Sequence, residues 1–250
     1  MEALTDGLAG RVAIVTGALG RLGPIWSSTL AAAGMTVVGI DVRPASPDET
    51  LRIEVADVRD RTALERVRDL VLREYGPPAV LVNNAGIDFV PEPGVSENEV
   101  VFQQTVDVNL VGVYNTTEVF GSPMCDAGSG SIVNIGSLYA AVAPDPVFYD
   151  HIEPPFVKPS AYGASKAGVV SLTRYFARLW GRYGVRVNAL SPAGVSAGQD
   201  DEFRRKYSAR IPLGRMAEPD DLRGPLLFLA SNASSYVTGH ELRVNGGFTA

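Results

Sequence analysis

The sequence predicts an α/β protein, a doubly wound parallel sheet with helices on both faces. Three observations carry this reading. Short apolar runs alternate with segments of helical periodicity along the whole chain. The apolar runs are continuous rather than alternating, as in strands buried on both faces. A glycine-rich turn, TGALGRLG (16–23), joins the first run to the first helix. Right-handed crossovers between parallel strands then wind the sheet both ways.

The elements follow in order. RVAIVT (11–16) is a buried strand, and the ten residues before it read as a disordered or lightly packed lead-in. Residues 24–33 form a helix, with Pro24 in its first turn and Gly34 as its stop. MTVVGI (35–40) and LRIEV (51–55) are the next strands. Asp60 caps a helix whose apolar face is Leu64, Val67, Val71 and Tyr75. AVLV (79–82) is a strand ending in NNAG. Ser96 and Glu99 make a capping-box pattern that opens a long helix to about Phe120. SIVNIG (131–136) is a strand, 160–183 a long helix, and VRVNAL (185–190) a strand. A helix near 220–231 and a short strand, ELRV (241–244), complete the chain.

Composition narrows the function classes. At 250 residues, 46% hydrophobic and 20% charged, the chain suits one domain spanning 1–250, and no linker splits it into two halves. The net charge is −6 and no Lys/Arg block dominates, so no nucleic-acid partner is expected. The single cysteine, Cys125, excludes an internal disulfide framework and fits a reducing compartment, the cytoplasm. His151 and His240 lie far apart and no Cys/His cluster has zinc spacing, so no metal is expected. The N-terminus lacks a signal-peptide pattern, and no apolar run is long enough to cross a membrane.

Ligands of such sheets sit outside the carboxyl ends of the strands, and each chemistry-bearing motif here begins at or just beyond a strand end. Gly17, Gly20 and Gly23, with Arg21 and Leu22 between them, can place a pyrophosphate on a helix N-terminus. The same glycines also suit a plain tight turn. Asp41 ends the second strand 24 residues after Gly17, where a carboxylate can accept from the adenosine ribose hydroxyls and repel a 2′-phosphate. Arg43 nearby could instead accept that phosphate. Asp57 lies on the same edge, within reach of an adenine amino group. Asn84, Ala85 and Gly86 give small and amide residues where a cofactor ribose would pass.

Tyr162 and Lys166, at i and i+4 in SAYGASKAG, share one face of a helix. A nearby ammonium favours a phenolate and suits general acid–base work. Ser137 ends the fifth strand, and Asn109 sits inside a helix, where asparagine is unfavourable unless it has a polar task. Each has a plainer alternative: an exposed helix pair, an ordinary strand-end serine. Their joint placement beside a dinucleotide fingerprint favours the chemical reading.

With these residues assembled, the chain resembles the short-chain dehydrogenase/reductase family in its compact, Rossmann-type branch. The resemblance runs from about Arg11 to the last residues. It rests on TGALGRLG, Asp41, Asp57, NNAG (83–86), Asn109, NIGS (134–137), YGASK (162–166), NALSPAG (188–194), PLGRMAEPDDL (212–222) and LFLASNASSYVTG (227–239). It implies a nicotinamide-dependent oxidoreductase acting on a secondary alcohol or ketone. Tyr162 would exchange the substrate proton, Ser137 hold the substrate oxygen, Lys166 bind the nicotinamide ribose, and Asn109 hold a water leading to solvent. Val58, Pro192, Gly194 and Val195 join the cofactor contacts. Helices equivalent to 96–120 and 160–183 often pair in the family, which implies a homo-oligomer, a dimer or tetramer.

The chain departs from the family pattern at four points. Arg21 stands where a glycine is usual, with Gly20 just before it. SPAG replaces the commoner SPG, and VNGG (244–247) replaces VDGG. Ser137 and Tyr162 are 25 positions apart, about twice the usual spacing. The intervening proline-rich stretch, 138–161, reads as a substrate loop; it carries Asp145, Glu153 and Lys158, with Tyr139, Tyr149, Asp150 and His151 as candidate substrate contacts. A second lid, 195–212, holds Arg204, Arg205, Lys206 and Arg210. Some bacterial relatives in surface-sugar biosynthesis have a similar insert. The resulting expectation is an NAD-dependent dehydrogenase of a sugar-like compound, polyol or hydroxy acid. An NADP-dependent 3-oxoacyl-type reductase and a non-catalytic NAD-binding regulator are the alternatives.

Overall fold

The computed structural model describes residues 2–46, 51–89, 97–153 and 158–250. A single helical turn, α1 (Glu2–Thr5), precedes β1 (Val12–Thr16). The chain continues through α2 (Gly23–Ala32), β2 (Thr36–Asp41), β3 (Arg52–Val55), α3 (Arg61–Tyr75) and β4 (Val80–Asn83). Next come α4 (Glu99–Val106), a π-helical turn (Asp107–Val111), α5 (Gly112–Asp126) and β5 (Gly130–Ile135). Helix α6 (Ser160–Trp180), β6 (Val185–Pro192), α7 (Asp201–Ala209), α8 (Arg223–Ala230) and β7 (Glu241–Val244) follow. The strands form one parallel seven-stranded sheet in the order β3-β2-β1-β4-β5-β6-β7. The direction of winding reverses between β1 and β4, and a ligand crevice opens at such a point.

Successive strand side chains point to opposite faces, which explains the continuous apolar runs. Ala13 and Val15 of β1 join Trp26 of α2 and Leu226 and Leu229 of α8. Val12 and Ile14 join Leu64, Val67 and Val71 of α3, Phe120 of α5 and Phe176 of α6. Fully burying one such side chain is worth about 1.5–3 kcal/mol. Asn83 and Asn134, paired across β4 and β5, carry polar groups through this core. Asn83 donates to Thr117 Oγ1 and Asn134 Oδ1, each at 2.8 Å, and Asn134 donates to Thr173 Oγ1 at 2.9 Å. The network ties α5 and α6 to the sheet directly beneath the cleft.

Several sequence expectations need correction. The lead-in is not loose, because Leu8 is buried in the core beside Trp26. Asp60 caps α3 as expected, accepting from Ala63 N at 3.0 Å. Tyr75 does not share the buried face. It lies at the sheet edge, where its hydroxyl takes a hydrogen bond from Arg52 of β3 at 2.6 Å. Ser96 lies outside the described residues; Asn98 caps α4, accepting from Val101 N at 3.0 Å. The long helix to Phe120 is instead two α-helices joined by the π turn, and it runs on to Asp126.

A smaller apolar cluster lies over the cleft. It packs Leu138 and Phe148 of the insert against Ala193, Tyr207, Ile211 and Met216. Phe148 is 2% exposed, with its ring centroid 5.2 Å from that of Tyr207. Asp145–Arg210 at 3.3 Å and Asp150–Lys206 rim this contact as ion pairs, and His151 Nε2 lies within hydrogen-bond distance of Asp200 Oδ1, at 2.8 Å. Each exposed pair is worth little, whereas truncating a buried Phe costs about 3–5 kcal/mol. We expect Phe148→Ala to speed proteolysis and hydrogen exchange of α7 while the global melting temperature moves little. Unchanged exchange in α7 would contradict this packing.

Candidate active site

The carboxyl ends of β1, β2, β4, β5 and β6 border a cleft of about 1000 Å³. The glycine turn forms one wall. Gly17 has φ +61°, and a Cβ there would lie 2.8 Å from Ala85 Cα. A Cβ on Gly23 would lie 2.4 Å from the carbonyl oxygens of both Gly17 and Ala18. Glycine is therefore required by geometry at both positions. The turn is also held from outside. Asn84 Nδ2 donates to Thr16 O at 3.0 Å and Gly17 O at 2.9 Å, while its Oδ1 accepts from Trp26 at 2.8 Å. Asp41 is 7% exposed and accepts from Leu19 N at 3.0 Å and Arg43 N at 3.1 Å.

A cradle that admits no side chain at two points, bordered by a carboxylate at the next strand tip, fits a dinucleotide. Gly17, Gly20, Arg21, Leu22, Asp41, Asp57, Val58, Asn84, Ala85 and Gly86 line this half of the cleft, and Gly23 is not part of the lining. Pro192, Gly194 and Val195 line its other end. Arg21, the residue in place of a glycine, reaches across to hydrogen-bond Val195 O, which also accepts from Gln199 Nε2 at 2.9 Å. Asp57 pairs with Arg59, whose guanidinium holds the carboxyl below its usual range.

The chemical groups converge on the adjoining end. Tyr162 and Lys166 lie one turn apart on α6, with the lysine Nζ 5.7 Å from the tyrosine ring centroid. Lys166 donates to Ile135 O at 2.8 Å, fixing it over the end of β5. Ser137, just past β5, lies beside Tyr162 and lowers its proton affinity. The π turn carries Asn109 inward. Its Oδ1 accepts from Ile87 N at 2.7 Å, and its Nδ2 donates to Ile87 O at 2.9 Å and Ser165 Oγ at 3.1 Å. The polar task expected of a mid-helix asparagine is thus the loop after β4 and helix α6. A Cβ on Gly86 would sit 3.2 Å from that Oδ1 and 3.6 Å from Lys166 Nζ.

Proton affinities here depart from expectation in one respect. The Tyr–Lys pair predicts a lowered phenol pKa. In the folded chain burial pushes Tyr162 up to about 12, helped by Asp88 and opposed by Ser137 and Arg21. Burial also pushes Lys166 down to about 8. Desolvation penalises both charged forms at once and is the largest cause for each group.

Of the insert candidates, Tyr139 and Tyr149 line the cleft. Tyr139 meets Tyr162 edge-on, with ring centroids 6.4 Å apart. Asp150 and His151 are not in the cleft lining; they face α7. Arg59, Asp88 and Gln104 line the cleft without having been singled out from sequence. Asp88 had a signal: it follows NNAG by two residues on the same strand edge. Among the described residues, no three His, Cys, Asp or Glu are grouped to hold a metal ion, and no helix is long and apolar enough to cross a membrane.

Comparison with known proteins agrees with this geometry. The family described as Enoyl-(Acyl carrier protein) reductase matches residues 22–249. Cis-4-hydroxycyclohexanecarboxylate dehydrogenase of Sinomonas cyclohexanicum is 34% identical, covering 98% of this chain and 99% of the relative. D-threitol dehydrogenase of Mycolicibacterium smegmatis is 33% identical, covering 97% and 94%. The crystal structure of a short-chain dehydrogenase from Leptospira borgpetersenii with bound NAD+ superposes with a TM-score of 0.89 at 30% identity, covering 98% and 95%. A gluconate 5-dehydrogenase from Burkholderia cenocepacia, in complex with NADP and tartrate, gives 0.85 at 30%, covering 99% and 98%. The chain belongs to the short-chain dehydrogenase/reductase family.

Proposed function

We propose that this oxidoreductase interconverts a polar secondary alcohol and its ketone, with NAD as the preferred cofactor. The observation that carries the reading is the meeting of Ser137, Tyr162 and Lys166 at one end of a cleft whose other end is the glycine cradle. Relatives named for a polyol, a sugar acid and a hydroxy acid support a hydroxylated substrate. A bound nicotinamide supplies the hydride acceptor or donor. The remaining work falls to the chain. Ser137 holds the substrate oxygen by a hydrogen bond. Tyr162 takes the hydroxyl proton in oxidation and returns it in reduction. Lys166, anchored on Ile135 O, supplies the positive charge beside the phenolate and holds the nicotinamide ribose hydroxyls. Asn109 fixes the loop at Ile87 against α6. The test is turnover of threitol, galactitol, glycerol and gluconate with each nicotinamide cofactor, read by absorbance of the reduced ring. Cofactor binding without turnover of any secondary alcohol would favour a non-catalytic binding protein.

The NAD preference rests on Asp41. Its buried carboxylate at the tip of β2 repels a 2′-phosphate. By calorimetry we expect NAD to bind more tightly than NADP. Asp41→Ala weakens both, because Leu19 N loses its acceptor, and narrows the gap about tenfold. Equal or tighter NADP binding would assign the phosphate to Arg43 or Arg59. We further propose a cytoplasmic homo-oligomer. Its support is the single cysteine and the exposed apolar side chains Val100, Phe102, Tyr114, Tyr175 and Leu179 along α4, α5 and α6.

A further inference from the structure

Lys158 lies near the end of the insert, four residues before Tyr162. Its side chain is 10% exposed and ion-paired with Asp88 of the loop after β4. Its Nζ lies 5.3 Å from the Tyr162 ring centroid and 5.9 Å from that of Tyr139. These distances are within the range at which a cation is drawn to an aromatic face. Tyr162 therefore lies close to two ammonium groups, Lys166 on its own helix and Lys158 from the insert. The position of Lys158 is fixed by the chain that follows it. Glu97 accepts from Ser160 N at 2.9 Å, Ser160 Oγ at 2.6 Å and Ala161 N at 3.0 Å, clamping the start of α6.

We propose that Lys158 and Asp88 are a tuning pair that sets the proton affinity of Tyr162 through their opposed charges. This rests on Tyr162 being the proton-exchanging group. Both members are positioning residues, acting through Tyr162. The other groups that face it are Lys166 of α6, Ser137 and Tyr139 beyond β5, Arg21 of the glycine turn and Tyr207 of α7. Among the described residues that act on Tyr162, Asp88 is the one carboxylate, and its charge favours the protonated phenol. It acts in the same direction on Lys166 and Tyr139. Lys158 sits against that carboxylate and cancels part of its field where the proton moves. Remove the lysine and a bare carboxylate faces the phenol. Remove the carboxylate and a second bare ammonium does. The two losses push the same hydroxyl in opposite directions.

The experiment follows the Tyr162 ring directly and needs no substrate. Protein labelled with [13Cζ]tyrosine is titrated on its alkaline limb with NAD+ present, and the Tyr162 signal is assigned by its loss in Tyr162→Phe. At equal pH, Asp88→Asn should show more phenolate than the parent and Lys158→Met less, each shifted by about half a pH unit or more. The double variant should fall between them, and Lys158→Arg should match the parent. Both single variants moving the same way would overturn the pair, as would neither moving. If the Lys158→Met protein proves unfolded by circular dichroism, Lys158→Gln takes its place under the same criteria. Loss of turnover in Tyr162→Phe is measured separately, so failure of the tuning idea and failure of the proton role are distinguishable.

Discussion

Tyr162→Phe is expected to lower turnover by about 10²–10⁴-fold while cofactor affinity stays within a few-fold. The ring of Tyr162 is half-buried in the cleft wall, edge-on to Tyr139 and close to two ammonium groups, so phenylalanine fills the same space. Only the proton-exchanging oxygen is lost. The pH profile gives a second reading. In oxidation the phenolate is the active form, and burial holds the phenol high, so the parent's rate climbs with pH through the neutral and alkaline range. The variant's residual rate should lose that climb. Near-normal turnover in Tyr162→Phe would remove the proton transfer from this residue and leave the reaction without an assigned base.

Gly23→Ala carries the second large effect. The new methyl would lie 2.4 Å from two backbone carbonyl oxygens, Gly17 and Ala18. Neither can swing aside as a side-chain tip would. The turn must open, at a cost of about 1–3 kcal/mol, which is roughly ten- to hundredfold in cofactor Kd. Gly224→Ala is the control. A Cβ there meets nothing within 4 Å, and the position is inside α8, so alanine should be neutral or slightly stabilising. Unaltered cofactor Kd in Gly23→Ala would show that the turn does not shape the binding wall.

The parts of this fold legible in the sequence are those set by local pattern. Strands buried on both faces leave uninterrupted apolar runs, and the five inner strands were visible for that reason, whereas the edge strands β3 and β7 carry charged residues between their apolar ones. Asp60 and Pro24 announce helix starts because their chemistry acts within one turn. What was hidden depends on contacts far along the chain. Helix α7 is short and mostly charged, and its apolar side, Phe203 and Tyr207, has meaning only once Phe148 of the insert is seen against it. Asp150 and His151 looked like substrate contacts because they are polar and central in a loop beside Ser137 and Tyr162. Their partners Lys206 and Asp200 lie about fifty residues away, and no local signal separates the two roles. The rise in the Tyr162 pKa was hidden in the same way, since spacing shows a neighbouring charge but not the loss of water around both groups.

The π turn at 107–111 closes with the Gly112 N–H on Asp107 O, five residues back. It takes up one residue more than an α-helical turn would while leaving the two helices in nearly the same phase. Before it, α4 runs beside the start of α6; within it, Asn109 is aimed at Ile87; after it, Thr116 and Thr117 meet Asn83. Deleting a single residue from this stretch would let ordinary helical closure resume with α4 and α5 left in nearly their present phase, because it removes only the residue that the wide turn takes up. Thr116 and Thr117 would keep Asn83, while Asn109 would lose the widened turn that aims it at Ile87. The count of residues between Glu99 and Asp126 is therefore as binding a constraint on this cleft as the identity of Asn109 itself.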